Sequence, residues 1–113
     1  MISIYHNPRC SKSREGLAIL ESQNKDYQVI KYMDDILSVE KLKEIIQILK
    51  IKPIELVRTN ELIWKQNYKN SELSDDQIID AMISHPNLIE RPIVIHGNKG
   101  VIGRPPQKIL DIL

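Results

Sequence analysis

A single cysteine, Cys10, stands in the 113 residues. One thiol cannot close an internal disulfide, so nothing suggests a secreted, disulfide-stapled scaffold. No apolar run approaches the roughly 18 to 20 residues that span a bilayer. Met1–Tyr5 shows no basic region ahead of an apolar stretch, so neither a membrane span nor a signal peptide is expected. An excess of one charge is also missing. Sixteen Lys and Arg against 15 Asp and Glu leave +1, without the clustered basic face that duplex nucleic acid requires. Repeats, low-complexity tracts and Pro/Gly/Ser linkers are absent. These absences point to one domain over residues 1–113, cytoplasmic and bound to neither membrane nor nucleic acid; a monomer is the default expectation.

What is present begins with how the basic residues divide. Eleven are lysines spread along the chain, and only five are arginines: Arg9, Arg14, Arg58, Arg91 and Arg104. Lysine serves as generic surface charge, whereas the rigid guanidinium fork suits oxyanions. Arg9 and Arg14 flank Cys10, and Arg91 and Arg104 each directly precede a proline.

The periodicity predicts a strand over 2–5, stopped by the Asn7-Pro8 turn signal, then a helix from Ser11 to about Ser22 burying Leu17, Ala18 and Leu20 or their neighbours. A second strand follows over Tyr27–Tyr32. Strand, turn, helix and strand make a βαβ unit with parallel strands. Ser38 is suited to cap a helix with an apolar stripe at Val39, Leu42, Ile45, Ile46 and Leu49. Pro53 opens a short helical turn carrying Leu56, Val57 and Arg58. Ser74-Asp75-Asp76-Gln77 is a capping box ahead of Ile78, Ile79, Met82 and Ile83, in a helix ended by His85-Pro86. Trp64 and Tyr68, at helical spacing, read as packing; His85 and His96 read as loop residues. Strands at 92–95 and 101–102 flank a hairpin over His96–Gly100, and a helix from Pro105 to Leu113 closes the chain. The expected architecture is α/β: a thioredoxin-like four-stranded mixed sheet with flanking helices and a helical insertion, about 38–85, between strands 2 and 3.

Cys10 falls where the first strand has ended and the first helix begins. A lone free cysteine is most often a small buried hydrophobe, but a turn between Arg9 and Ser11 is a poor place for one. A free thiol, with a pKa near ~8.5, is mostly protonated at neutral pH, and the thiolate is what reacts. Unpaired N–H groups at the helix start favour the anion and could also hold an oxyanion substrate. His6, Arg9, Lys12 and Arg14 add positive or potentially positive charge nearby. A phosphatase-type loop needs Arg six positions after Cys10, but position 16 is Gly; a dithiol site needs Cys at 13, which is Ser. A monothiol Cys-x-x-Ser site remains, and it must borrow its second sulfur from glutathione or another redox protein.

The run Tyr5-His6-Asn7-Pro8-Arg9-Cys10-Ser11-Lys12-Ser13-Arg14 resembles the opening of the glutaredoxin-linked arsenate reductase family. The resemblance continues through Leu56–Asn60, Asp75–Asp80, Glu90–Val94, Arg104-Pro105 and Ile109–Leu113, so it covers essentially the whole chain. It implies an oxidoreductase in which the Cys10 thiolate attacks arsenate, helped by His6. Arg58, Arg91 and Arg104 match the family's oxyanion-binding arginines, with Ser11 and Arg14 beside them at the helix start. Pro92 matches the cis-proline of thioredoxin-like proteins. The implied partners are arsenate, glutathione as co-substrate and glutaredoxin, with no metal and no bound cofactor. Two other readings of the fold stay open: a glutathione-dependent thiol–disulfide oxidoreductase with little arsenate activity, and an RNA polymerase-binding regulator. The regulator usually carries Cys-x-x-Cys, which Ser13 interrupts.

Overall fold

The computed structural model describes residues 1–113. Two compact units divide the chain, Met1–Asp35 with Arg91–Leu113, and Ile36–Glu90.

The first unit holds a four-stranded sheet: β1 (Ile2–Tyr5), β2 (Tyr27–Ile30), β3 (Ile93–His96) and β4 (Lys99–Ile102), in the order β2-β1-β3-β4. β1 pairs parallel with β2 and antiparallel with β3, which pairs antiparallel with β4. The mixed sheet and its parallel βαβ opening are as expected. Helix α1 (Ser11–Glu21) crosses between β1 and β2. Ile2 and Ile4 of β1, Val94 of β3, Leu20 of α1, and Ile109 and Ile112 near the C-terminus form one buried apolar cluster. Alternate residues of a strand share a face, which puts Ile2 and Ile4 together on that core.

The details depart from the sequence reading in five places. α1 buries Ser13, Gly16 and Leu20, while Leu17 is only partly buried. Gly16 sits on the packed face because a Cβ there would lie 2.8 Å from Pro92 Cγ and 2.9 Å from Ile109 Cδ1. β2 ends at Ile30, since Asp34 and Asp35 both donate to the Lys31 carbonyl and turn the chain. The hairpin is tighter than expected: His96 pairs with Lys99, leaving Gly97-Asn98 as the loop. Gly97 has φ +64, a left-handed conformation in which glycine meets no Cβ penalty, as the first position of a type II′ turn requires. His96 is thus the last residue of β3, and its ring Nδ1 donates to the Ile112 carbonyl at 2.7 Å. The closing helix, Pro106–Ile112, is wound as a 3₁₀ helix, tighter than an α-helix.

The second unit is helical: α2 (Val39–Leu49), a 3₁₀ turn at Pro53–Leu56, α3 (Leu62–Asn67), α4 (Asp75–Ser84) and a 3₁₀ turn at Pro86–Leu88. The Ser38 hydroxyl caps α2 by accepting the Lys41 N–H at 3.0 Å. Ser74 and Gln77 cap α4 reciprocally, at 3.2 and 2.8 Å. α4 packs on α2 and on both 3₁₀ turns, burying Ile78, Ile79, Ala81 and Met82. α3 was not legible in the sequence, although its Trp64 does pack: the ring stacks on Tyr68 with centroids 5.3 Å apart. The unit extends past the expected 38–85 because residues 88–90 bond back to 56–58. Arg58 N–H donates to the Leu88 carbonyl at 2.7 Å and Glu90 N–H to the Leu56 carbonyl at 2.9 Å.

Candidate active site

The 6–14 segment places the sulfur. Cys10 is the N-cap of α1, with extended backbone at φ −97 and ψ 124, and its carbonyl accepts the Arg14 N–H at 3.0 Å. The residue is partly buried. No side-chain oxygen caps the start of α1, so its first N–H groups are left to face the Cys10 sulfur or another anion.

Burial is the largest single influence on the thiol and pushes its pKa up. The Ser13 backbone N–H, a hydrogen bond from the Arg91 side chain, the Lys12 backbone N–H and the Arg91 charge together outweigh it, and bring the pKa down to about 7. Near neutral pH a large fraction of Cys10 is therefore thiolate. The Arg104 Nη2 also faces the sulfur, at 3.9 Å.

The charges named from the sequence divide accordingly. Arg91 and Arg104 meet at Cys10, and they are joined to each other, since Arg104 Nε donates to the Arg91 carbonyl at 3.1 Å. Arg91 is largely buried, in keeping with a specific role. The Arg91–Pro92 peptide bond is cis, and so is Arg104–Pro105, which the sequence reading left out. The Lys12 ammonium pairs with Glu15 at 3.4 Å on an exposed surface. Arg14 Nη1 donates to the Pro8 carbonyl at 2.9 Å and so braces the loop. Arg9 and Ser11 are exposed, Ser11 as the first residue of α1. In the helical unit, Arg58 Nε pairs with Glu61 at 3.3 Å, and its Nη1 is buried without a hydrogen-bond partner.

His6 acts differently from the cation the sequence suggested. It is buried, and its pKa is lowered by burial first and by the Lys31 and Arg14 charges, against a Ser13 backbone contact that raises it. The ring is neutral at neutral pH and lends the sulfur no positive charge. Its Nδ1 lies 2.7 Å from Ser13 Oγ, which also accepts the Asn7 N–H at 3.0 Å. Ser13 Oγ thus links the His6 ring to the Asn7 backbone through two hydrogen bonds.

The N–H groups expected at the helix start prove to be those of Lys12 and Ser13, and the buried Asn7 is a contributor with no role in the sequence analysis. Which backbone donors meet the sulfur is not written in residue identity. Asn7 did leave a mark there, because an asparagine ahead of a short turn commonly accepts a backbone N–H two residues on.

No group of three or more His, Cys, Asp or Glu side chains is placed to hold a metal ion, and no helix is long and apolar enough to cross a membrane.

A thioredoxin-like α/β sheet with a single activated thiol at a helix start, faced by guanidinium groups, defines a class of monothiol proteins built around an anionic sulfur. The sequence model of the ArsC family matches residues 5–112, and the chain belongs to that family. An arsenate reductase from Haemophilus influenzae is 43% identical to it, over 99% of this chain and 98% of that one. The Escherichia coli K12 protein YfgD is 40% identical, over 99% and 96%. The structure of an arsenate reductase from Vibrio cholerae superposes with a TM-score of 0.94 at 48% identity, covering 99% of this chain and 97% of its own.

Proposed function

We propose that this protein is an arsenate reductase, in which Cys10 carries the reaction and glutathione and glutaredoxin supply the electrons. The observation that carries the reading is the pairing of a sulfur titrating at about 7 with the Arg91 and Arg104 guanidinium groups beside it. Arg91 favours the thiolate, and a second rigid fork, Arg104, beside the same sulfur suits an oxyanion substrate that both can grip.

The Cys10 thiolate attacks arsenic(V), forming a sulfur–arsenic bond as one arsenate oxygen leaves as hydroxide and is protonated to water. Arg91 and Arg104 bind the remaining oxygens, and the Ser11 N–H at the helix start donates to one of them. Arg58 joins as a third oxyanion ligand on the family resemblance, and Arg14 holds the loop. Glutathione thiolate then attacks the Cys10 sulfur. The sulfur–arsenic electron pair goes to arsenic, which leaves as arsenite, and Cys10 becomes a mixed disulfide with glutathione. Glutaredoxin with a second glutathione returns Cys10 to the thiol and releases glutathione disulfide. His6 stays neutral and takes no proton in this sequence. The reaction is placed in the cytoplasm, where glutathione is kept reduced, and the protein acts as a monomer.

The test is a coupled assay with arsenate, glutathione and glutaredoxin, following NADPH through glutathione reductase alongside intact mass spectrometry. Arsenite production and a glutathione adduct are expected with the native protein, and neither with Cys10→Ser, whose hydroxyl is not ionised near neutral pH. Arsenite at the native rate from Cys10→Ser would overturn the proposal. A glutathione adduct without arsenite would instead favour a thiol–disulfide oxidoreductase.

A further inference from the structure

Asn7 is buried, one of only four polar or charged residues that are, and nothing in the reaction above uses it. It nevertheless makes three hydrogen bonds around the sulfur. Its side-chain Oδ1 accepts the Arg9 N–H at 3.0 Å. Its carbonyl accepts the Cys10 N–H at 3.0 Å, and its own N–H donates to Ser13 Oγ at 3.0 Å. Ser13 is fully buried, and its Oγ also meets His6 Nδ1 at 2.7 Å.

We infer that Asn7 is a positioning residue for the proposed reaction, clamping the 7–10 loop to the first turn of α1 so that the Ser13 and Lys12 N–H groups face the Cys10 sulfur. The clamp has two ends. Oδ1 to Arg9 N–H closes an Asx turn that sets the loop's curvature through Pro8. N–H to Ser13 Oγ ties the loop to the helix, and Ser13 is the residue whose backbone N–H does most to favour the thiolate. His6 completes the clamp just past the end of β1, its Nδ1 hydrogen-bonded to Ser13 Oγ at 2.7 Å. The other groups facing the sulfur are Arg91, from the segment before β3, and Arg104, from the segment after β4, and neither touches Asn7 by any of these bonds. Asn7 therefore acts on how the helix N–H groups meet the sulfur and leaves the guanidinium groups alone.

The inference rests on the arsenate reading for its consequence but is measured without it, through the titration of Cys10 followed by thiolate absorbance and by alkylation rate against pH. Asn7→Ala removes the Oδ1 acceptor and should raise the Cys10 midpoint by ~0.5–1 unit. Asn7→Ser, whose hydroxyl closes the same turn more weakly, should fall between alanine and native. In the arsenate assay, kcat at pH 7 should fall and recover with rising pH in Asn7→Ala, while KM for arsenate holds because Arg91 and Arg104 are intact. Circular dichroism shows whether each variant folds. Should Asn7→Ala fail to fold, Asn7→Ser and amide exchange in the native protein decide the matter, with slow exchange expected at the Arg9 and Cys10 N–H groups. A folded Asn7→Ala with the native midpoint, or fast exchange at both amides, overturns the inference. Loss of thermal stability alone, with the titration unmoved, would make Asn7 merely structural. A protein that makes no arsenite but shows these titrations sinks the arsenate reading and leaves Asn7 in place.

Discussion

At Cys10, burial and hydrogen bonding pull one sulfur in opposite directions, and hydrogen bonding prevails. The alkylation midpoint of the native protein should lie at about 7, and a midpoint at the ~8.5 of a free thiol would remove the claim of activation. Arg91→Ala should move the midpoint upward, because it removes both a hydrogen bond and a charge from the thiolate. The same shift has a consequence for stability. The folded-state pKa lies below that of the unfolded thiol, so between about 7 and 9 the unfolded chain binds a proton that the native one has released. Stability from this group rises with pH across that window and is lost as pH falls through about 7. The stability difference between native protein and Cys10→Ser, measured by urea unfolding, should thus shift in favour of the native protein from pH 7 to pH 9. A difference that stays flat would show that the thiolate gains nothing from the fold. Replacing Arg91 with Lys keeps the charge and loses the fork. If it binds arsenate, one charge-assisted hydrogen bond of roughly 1.5–3 kcal/mol goes with it, and kcat/KM should fall about 10- to 100-fold.

Among the elements, α1 shows how packing overrides propensity. Alanine is the better helix former, by up to ~1 kcal/mol over glycine. At position 16, however, the added methyl would press on the Pro92 and Ile109 side chains at 2.8 and 2.9 Å. Pro92 is a rigid ring and Ile109 is fully buried, so neither yields readily. Gly16→Ala should therefore lose about 1–3 kcal/mol, read from the urea midpoint. The C-terminus of α2 offers the opposite case. Lys50 is exposed and caps the helix in the left-handed conformation, with φ 57 and ψ 42. That conformation costs a non-glycine residue roughly 1–2 kcal/mol, part of which glycine returns as unfolded-chain entropy. Lys50→Gly should raise stability by about 0.5–1 kcal/mol, visible as a higher Tm.

For the molecule as a whole, strand order sets where the sheet is firmest. β1 is paired on both sides, by β2 and β3, whereas β2 lies at the edge with Val29 exposed. Hydrogen exchange should find the β1 amides slow and about half of those on β2, facing away from β1, fast. Uniform protection across both strands would contradict that order.

Sequence alone determined what is local. The β1–α1–β2 succession, the Ser38 cap and the Ser74–Gln77 capping box follow from periodicity and from oxygens placed to meet unpaired N–H groups, both of which are written in residue identity. Cys10 at a helix start followed from the same logic, as did the arginines as oxyanion-suited residues. Only the tertiary structure decided the rest. α3 had too short an apolar pattern, with Trp64 as its one buried residue, to stand out from its surroundings. The 3₁₀ winding of 106–112 and the burial of Gly16 depend on neighbours from distant parts of the chain. Arg91 and Arg104 reach the sulfur because β3 lies beside β1 and β4 beside β3, a pairing between segments some 90 residues apart in sequence. Burial lowers the His6 pKa and pairs its ring with Ser13, so the charge its identity left possible is disfavoured. Backbone N–H groups at the helix start were to be expected around the thiolate, but every residue but proline carries one, so only placement showed that those of Ser13 and Lys12 face the sulfur.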